Sequence, residues 1–207
     1  MSEADKLDAV YAATSGAEVA RTYDAWAATY DAEMAALGYR HPTVCLALLA
    51  RHLPPGAGPV LDAGAGTGLI GEWLRLVGYA PVEGVDLSPG MLAVAAAKGA
   101  YDRLEQGDLA RRLPFADARF AAAVCAGVFT TGHVGPEGLD ELLRVVRPGG
   151  ILVLTVKEKT WEDGFAARVE ALAGEGRVAR IDGTPPYSSM PGRADNAPSR
   201  VLVLRRA

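Results

Sequence analysis

Val60-Leu61-Asp62-Ala63-Gly64-Ala65-Gly66-Thr67-Gly68-Leu69 joins an apolar run to a helical pattern through a loop with glycine at every second position. Glycine at that spacing lets a strand turn sharply and lets the backbone approach a ligand closer than a Cβ would allow. The unpaired N–H groups that open the following helix then face whatever lies over the loop. Dinucleotide, flavin and nucleotide sites share this geometry, so the residues around it must discriminate.

Downstream, Ile70, Trp73, Leu74 and Val77 recur at helical spacing up to Gly78, and residues 82–85 form a short apolar strand closing on Asp86. Ser88 then Pro89 has the form of an N-cap and first-turn proline for a helix through Met91, Leu92 and Val94 to Lys98-Gly99. A faint strand near 103–106 ends at Gly107-Asp108. Residues 120–125 predict a buried strand followed by a loop over 126–136, and a helix over 137–146 leads through Arg147-Pro148-Gly149-Gly150 to a strand over 151–156. Strands alternating with helices predict an α/β fold with a parallel sheet covered on both faces. A helix over 164–173, a strand over 178–181, a long loop over 182–199 and a last strand over 200–205 complete the chain. Loops of that length are usually functional or mobile.

Upstream, the residues to about Ser15 read as mobile or loosely helical. Val19, Tyr23, Trp26, Tyr30, Met34 and Leu37 then step by threes and fours, predicting one helix over 17–37 with an aromatic face. That face either packs as core or forms a lid whose tyrosine hydroxyls reach a ligand. Gly38 to Pro42 breaks the pattern, and a second helix runs to about Leu53 before Pro54-Pro55-Gly56 stops it.

The 207 residues fit one domain, 1–207, divided into N-terminal helices (1–53) and an α/β core (54–207). Half the residues are hydrophobic and the formal net charge is -4, which gives no broad attraction for phosphate backbones or anionic membranes. Nucleic acid and membrane are disfavoured partners. The opening MSEADKLDAV has neither a basic nor an apolar leader segment, and no run approaches a membrane span, so a cytoplasmic setting is expected. Cys45 and Cys125 sit in apolar stretches without CxxC spacing and read as buried free thiols. Three scattered histidines offer no metal-ligand pattern, so no metal is expected.

In an open α/β sheet, ligands sit beyond the carboxyl ends of the strands. This chain places special residues at four such ends: Asp62 with the glycine loop, Asp86, Asp108, and the segment 126–130. Asp86 lies about twenty residues past the loop, where a carboxylate can accept from both hydroxyls of a ribose. Two features argue against a nicotinamide site. The loop is GxGxG instead of GxGxxG, and Asp62 would repel a pyrophosphate while suiting a ligand with an ammonium group.

At this point the chain resembles the class I S-adenosylmethionine-dependent methyltransferases over almost its whole length. VLDAGAGTG is similar to their first motif, VEGVDLS to their ribose motif, QGDL to their adenine-side motif, and LLRVVRPGGILVLTV to the helix-turn-strand that follows. Within that family, YDAWAATYDAEMAALGYRHP with GHVGPEGLDEL resembles the methyltransferase-like protein 27 group. The resemblance implies a Rossmann-like, seven-stranded, mostly parallel sheet in the order 3-2-1-4-5-7-6 with an antiparallel last strand, under an N-terminal helical lid. It implies S-adenosyl-L-methionine as cofactor and S-adenosyl-L-homocysteine as product. Gly64, Ala65, Gly66 and Gly68 would meet the methionine moiety, with Asp62 on its amino group directly or through water. Asp86 would hold the ribose, Leu87 would pack on adenine, and Asp108 with Leu109 would meet its amino edge. Tyr23 and Tyr30 would reach the cofactor carboxylate, with Met91 and Ala126 in the same site.

The implied reaction is an in-line attack on a sulfonium methyl, for which orientation and dehydration matter most and a general base is optional. His133, on the loop after the fourth strand, is the candidate base. Lys157 could steer an acidic acceptor or be a solvated strand end, and Arg40 and His41 could bind a carboxylate. The Asn/Asp-Pro-Pro-aromatic motif of base and glutamine N-methyltransferases is replaced by Ala126-Gly127-Val128-Phe129, while Pro185-Pro186-Tyr187 follows a later strand. The expectation is a small-molecule methyltransferase, monomer or homodimer. A protein or RNA methyltransferase, a non-catalytic cofactor-binding protein and, most weakly, a nicotinamide oxidoreductase are the alternatives.

Overall fold

The computed structural model describes residues 3–13, 15–130 and 134–207. Its N-terminal part is four helices, α1 (Glu3–Tyr11), α2 (Gly16–Trp26), α3 (Tyr30–Ala36) and α4 (His41–His52). The first is a packed helix and not a loose tail: Leu7 and Val10 are buried, and Leu7 joins Trp26, Met34 and Met190 in a small core of its own. The single helix expected over 17–37 is two. In a continuous helix Trp26 and Glu33 would stand about 10 Å apart along the axis. The break between α2 and α3 lets the Trp26 indole N–H reach Glu33 Oε2 at 2.6 Å, and the same carboxylate takes Lys6 at 2.6 Å.

The sheet follows from β1 (Val60–Ala63), buried at all four positions as a strand covered on both faces must be. The chain alternates through α5 (Leu69–Leu76), β2 (Val82–Asp86), α6 (Pro89–Ala97), β3 (Arg103–Gln106), β4 (Phe120–Phe129), α7 (Gly138–Val145) and β5 (Val146–Lys157). Beyond β5 come α8 (Glu158–Thr160), a π-helical turn (Trp161–Phe165) kinked at Gly164, α9 (Ala166–Gly174), β6 (Val178–Gly183) and β7 (Ser199–Arg206). The strand order is β3-β2-β1-β4-β5-β7-β6, as the resemblance implied, with β7 antiparallel to both neighbours. Leu139, Leu142, Val169 and Leu172 cover one face; Cys45, Leu49, Ile70 and Leu74 cover the other. Both cysteines are free and buried.

Two expectations change. β4 continues to Phe129 where a loop was expected from Ala126. Its register shifts between Cys125 and Phe129, the Gly127 N–H turns aside to Thr155 Oγ1 at 2.7 Å, and the ladder resumes at Phe129 opposite Val156. In α5 only Ile70 and Leu74 of the expected stripe are buried, while Trp73 and Val77 are exposed. The segment 182–199 is seated on the N-terminal helices: Arg40 N–H donates to Ser189 O at 2.9 Å and Gly192 N–H to Leu37 O at 3.1 Å. Among the described residues, no helix is long and apolar enough to cross a membrane.

Candidate active site

The strand order reverses between β1 and β4, and a cavity of about 180 Å³ opens there at the carboxyl ends of the strands. Gly64 lies on its floor with φ +81, a left-handed conformation, and a Cβ at that position would run into Val128 Cγ2. Asp86, at the end of β2, accepts from the Gly66 N–H on Oδ2 and the Ser88 N–H on Oδ1, both at 2.8 Å. Burial lifts its carboxyl above the usual range, against the backbone donors of Ser88, Gly66 and Leu87. Each oxygen keeps a second lone pair, so the carboxylate can still accept from a diol in the cavity.

Of the residues singled out in the sequence, Tyr23, Tyr30, Gly64, Gly66, Asp86, Leu87, Met91, Asp108, Leu109 and Ala126 line this cavity. Asp108 Oδ1 also accepts from the Ala110 N–H at 2.9 Å, closing the turn after β3. Burial holds the Tyr23 and Tyr30 hydroxyls well above their usual pKa, so both stay protonated donors suited to a carboxylate. Ala65 and Asp62 lie beneath, around a smaller space shared with Thr67 and Leu69. Gly68 caps α5 with φ 89 and borders neither space. His133 lies outside the described residues.

Asp62 is 1% exposed and accepts the Tyr101 hydroxyl at 2.7 Å. Burial, helped by the charge of Asp86, pushes its carboxyl up to about 7 despite that bond. Tyr101 escaped the sequence reading. Its ring lies where Cβ atoms on Gly71 and Gly84 would be, so a glycine inside a helix and another inside a strand were the available clue.

The lid closes on this floor through two carboxylates. Asp24 Oδ1 accepts from Ser88 Oγ at 2.6 Å and from the Gly90 N–H at 2.8 Å, docking α2 on the start of α6. Asp31 takes the Thr67 hydroxyl of the glycine loop and Lys98 Nζ at 2.6 Å. The first residue of α2, Gly16, sits over Leu87 and Asp108, where a side chain would enter the cavity.

The other end of the cavity is built from distant segments. Gly127 (φ +78) leaves room for the Tyr39 hydroxyl, and the Tyr39 ring meets His41 at 5.2 Å. His41 Nδ1 is 2.6 Å from the Tyr187 hydroxyl, so Tyr187 packs behind the Tyr39 wall, while Pro185 and Pro186 are exposed. Burial and the nearby Lys157 charge hold His41 down to about 3. It is therefore neutral, and does not offer a carboxylate the positive charge that the sequence suggested. Lys157 is 9% exposed, which rules out a solvated strand end.

A diol-accepting carboxylate, a glycine floor and protonated tyrosines at this switch point suit an adenosyl amino acid, and the comparisons with known proteins agree. The methyltransferase domain family matches residues 61–154. The chain belongs to the class I S-adenosylmethionine-dependent methyltransferases, whose donor is S-adenosylmethionine and whose product is S-adenosylhomocysteine. It is 37% identical over 152 residues to human methyltransferase-like protein 27, an overlap of 72% of this chain and 62% of that protein. The chain thus spans less than two thirds of that relative's length. A TehB-like S-adenosylmethionine-dependent methyltransferase from Corynebacterium glutamicum superposes with a TM-score of 0.63 at 24% identity, covering 90% of this chain and 100% of the other. The [4+2]-cyclase SpnF superposes with a TM-score of 0.68 at 18% identity, covering 94% and 97%.

Proposed function

We propose that this chain transfers the methyl group of S-adenosylmethionine to a small-molecule acceptor. The observation that carries the proposal is the roof. The α2 and α3 helices are latched to the glycine loop and to α6, and the 182–199 segment is bonded to the ends of α3 and α4, so the helices are held down over the cavity. A largely apolar cavity of about 180 Å³ under held-down helices suits a small ligand better than a protein side chain or an RNA base. When bound, the cofactor supplies an electrophilic methyl on a sulfonium. The protein's part is to hold the donor by Asp86, Asp62, Tyr23 and Tyr30, to exclude water beneath the lid, and to orient the acceptor beside Gly127.

One domain spanning 1–207 with residues 1–53 as lid, a cytoplasmic setting supported by two buried free thiols, and a monomer or homodimer belong to the same proposal. A cofactor-binding protein without transfer is the second reading; the same fold occurs in a [4+2]-cyclase, so the fold alone does not fix methyl transfer. The test is methyl transfer from labelled S-adenosylmethionine into an extract of the source cells, separated into small-molecule, protein and RNA fractions. Label in the small molecules is the expected result. Label confined to protein or RNA overturns the acceptor class, and binding without label in any fraction favours the second reading.

A further inference from the structure

We infer that the acceptor carries a carboxylate, or an oxyanion of like charge, and that this group seats on Lys157 at the carboxyl end of β5. The inference builds on the methyltransferase proposal and concerns what the acceptor end of the site selects. Lys157 pairs with Ser199 of β7 and is more than nine-tenths buried, a state lysine seldom adopts without a partner. Among the described residues, no carboxylate lies within ion-pairing range and no oxygen accepts from its ammonium. Its ammonium instead faces the Tyr11 ring, 4.0 Å from the centroid, a contact that leaves its hydrogens without acceptors.

The acids around it are engaged elsewhere. Glu158, next in the chain, is held by Arg200 through two bonds of 2.7 Å. Asp195, which feels the Lys157 field, is exposed and held by Arg193 at 2.7 Å. With Glu158 and Asp195 engaged by arginines the buried cation is uncompensated and costly, and a ligand carboxylate would supply the counter-charge. Lys157 stands just behind the cavity wall: it follows Val156, which pairs with Phe129 directly after the cavity-lining Ala126, Gly127 and Val128, and its charge reaches His41, whose ring meets the cavity-lining Tyr39 edge-on. The His41–Tyr187 pair is neutral, so it adds polar contacts and no second charge. One ammonium matches one carboxylate, whereas a phosphate dianion would stay uncompensated.

The test uses the full chain saturated with S-adenosylhomocysteine, titrated calorimetrically with benzoate and with benzamide, which share a shape and differ in charge. Benzoate should bind tighter. Lys157→Met should weaken benzoate by roughly 10- to 100-fold, the worth of a charge-assisted hydrogen bond, with little effect on benzamide, while Lys157→Arg keeps the preference. Lys157→Met should not lower the melting temperature of the ligand-free protein, since it removes an unpaired buried charge; a purely structural lysine would lower it. Benzoate affinity that is undetectable, equal to that of benzamide, or unchanged in Lys157→Met overturns the inference. The S-adenosylhomocysteine titration separates the two readings. If it fails, the methyltransferase proposal fails, and the benzoate titration on the ligand-free chain still decides the role of Lys157.

Discussion

Asp86→Asn separates two roles that the structure gives to one carboxylate. Both oxygens already accept backbone N–H groups, from Gly66 of the glycine loop and Ser88 of the α6 N-cap, at 2.8 Å each. An amide keeps one acceptor and turns a second donor toward an N–H, leaving one buried donor unsatisfied at a cost of about 1–3 kcal/mol in stability. The proposed ribose contact is lost on the same side. Removing a charge-assisted acceptor from a diol should weaken S-adenosylhomocysteine binding by at least about 1.5 kcal/mol, more than tenfold in Kd. Calorimetric titration of S-adenosylhomocysteine measures the second effect and thermal melting of the ligand-free protein the first. A lower melting temperature with Kd changed less than twofold would refute the ribose role and leave Asp86 as a strut between the loop and α6.

Three further outcomes follow from the same geometry. Asp62 has its folded pKa raised to about 7, so its stabilising contribution is full below about 4 and is lost as pH rises toward 7. A bound ammonium should pull that pKa down, so S-adenosylhomocysteine binding near pH 6.5 (about half a unit below that pKa) should release protons, seen as a binding heat that varies with buffer ionisation enthalpy and vanishes in Asp62→Asn. Asp24→Ala removes the acceptor for Ser88 Oγ and Gly90 N–H; amide exchange over α2 should accelerate and S-adenosylhomocysteine should dissociate faster, and unchanged exchange would count against the latch. Gly64→Ala forces a Cβ into Val128 at φ +81, costing about 1–2 kcal/mol in backbone strain and about 1–3 kcal/mol in overlap; adding Val128→Ala should restore only the overlap part of the melting temperature.

The proposed donor half of this site could be read from the sequence because its chemistry is local. Strand, glycine loop, N-cap serine and the Asp86 carboxylate lie within thirty residues, and their backbone geometry follows from residue type. The strand order was legible only through resemblance, since periodicity says which strands exist and not which are neighbours. Where tertiary contact outweighs local pattern, the sequence misled. The three-and-four spacing from Val19 to Leu37 survives a short turn, so the break that brings Trp26 to Glu33 left no trace in it. The stripe on α5 did not disclose that Trp73 and Val77 face outward, because α4 and the sheet cover only the face that carries Ile70 and Leu74. The proposed acceptor half was illegible for a deeper reason. His41 and Tyr187 meet across 146 residues of chain, and Lys157 becomes a buried ion only because β7, α1 and the seated 182–199 segment enclose a strand end that would otherwise be wet. Motifs within one supersecondary unit therefore disclose the cofactor, while the proposed acceptor end is built from contacts between units. A lysine with no acid to pair with is the clearest mark those contacts leave of what the missing partner must bring.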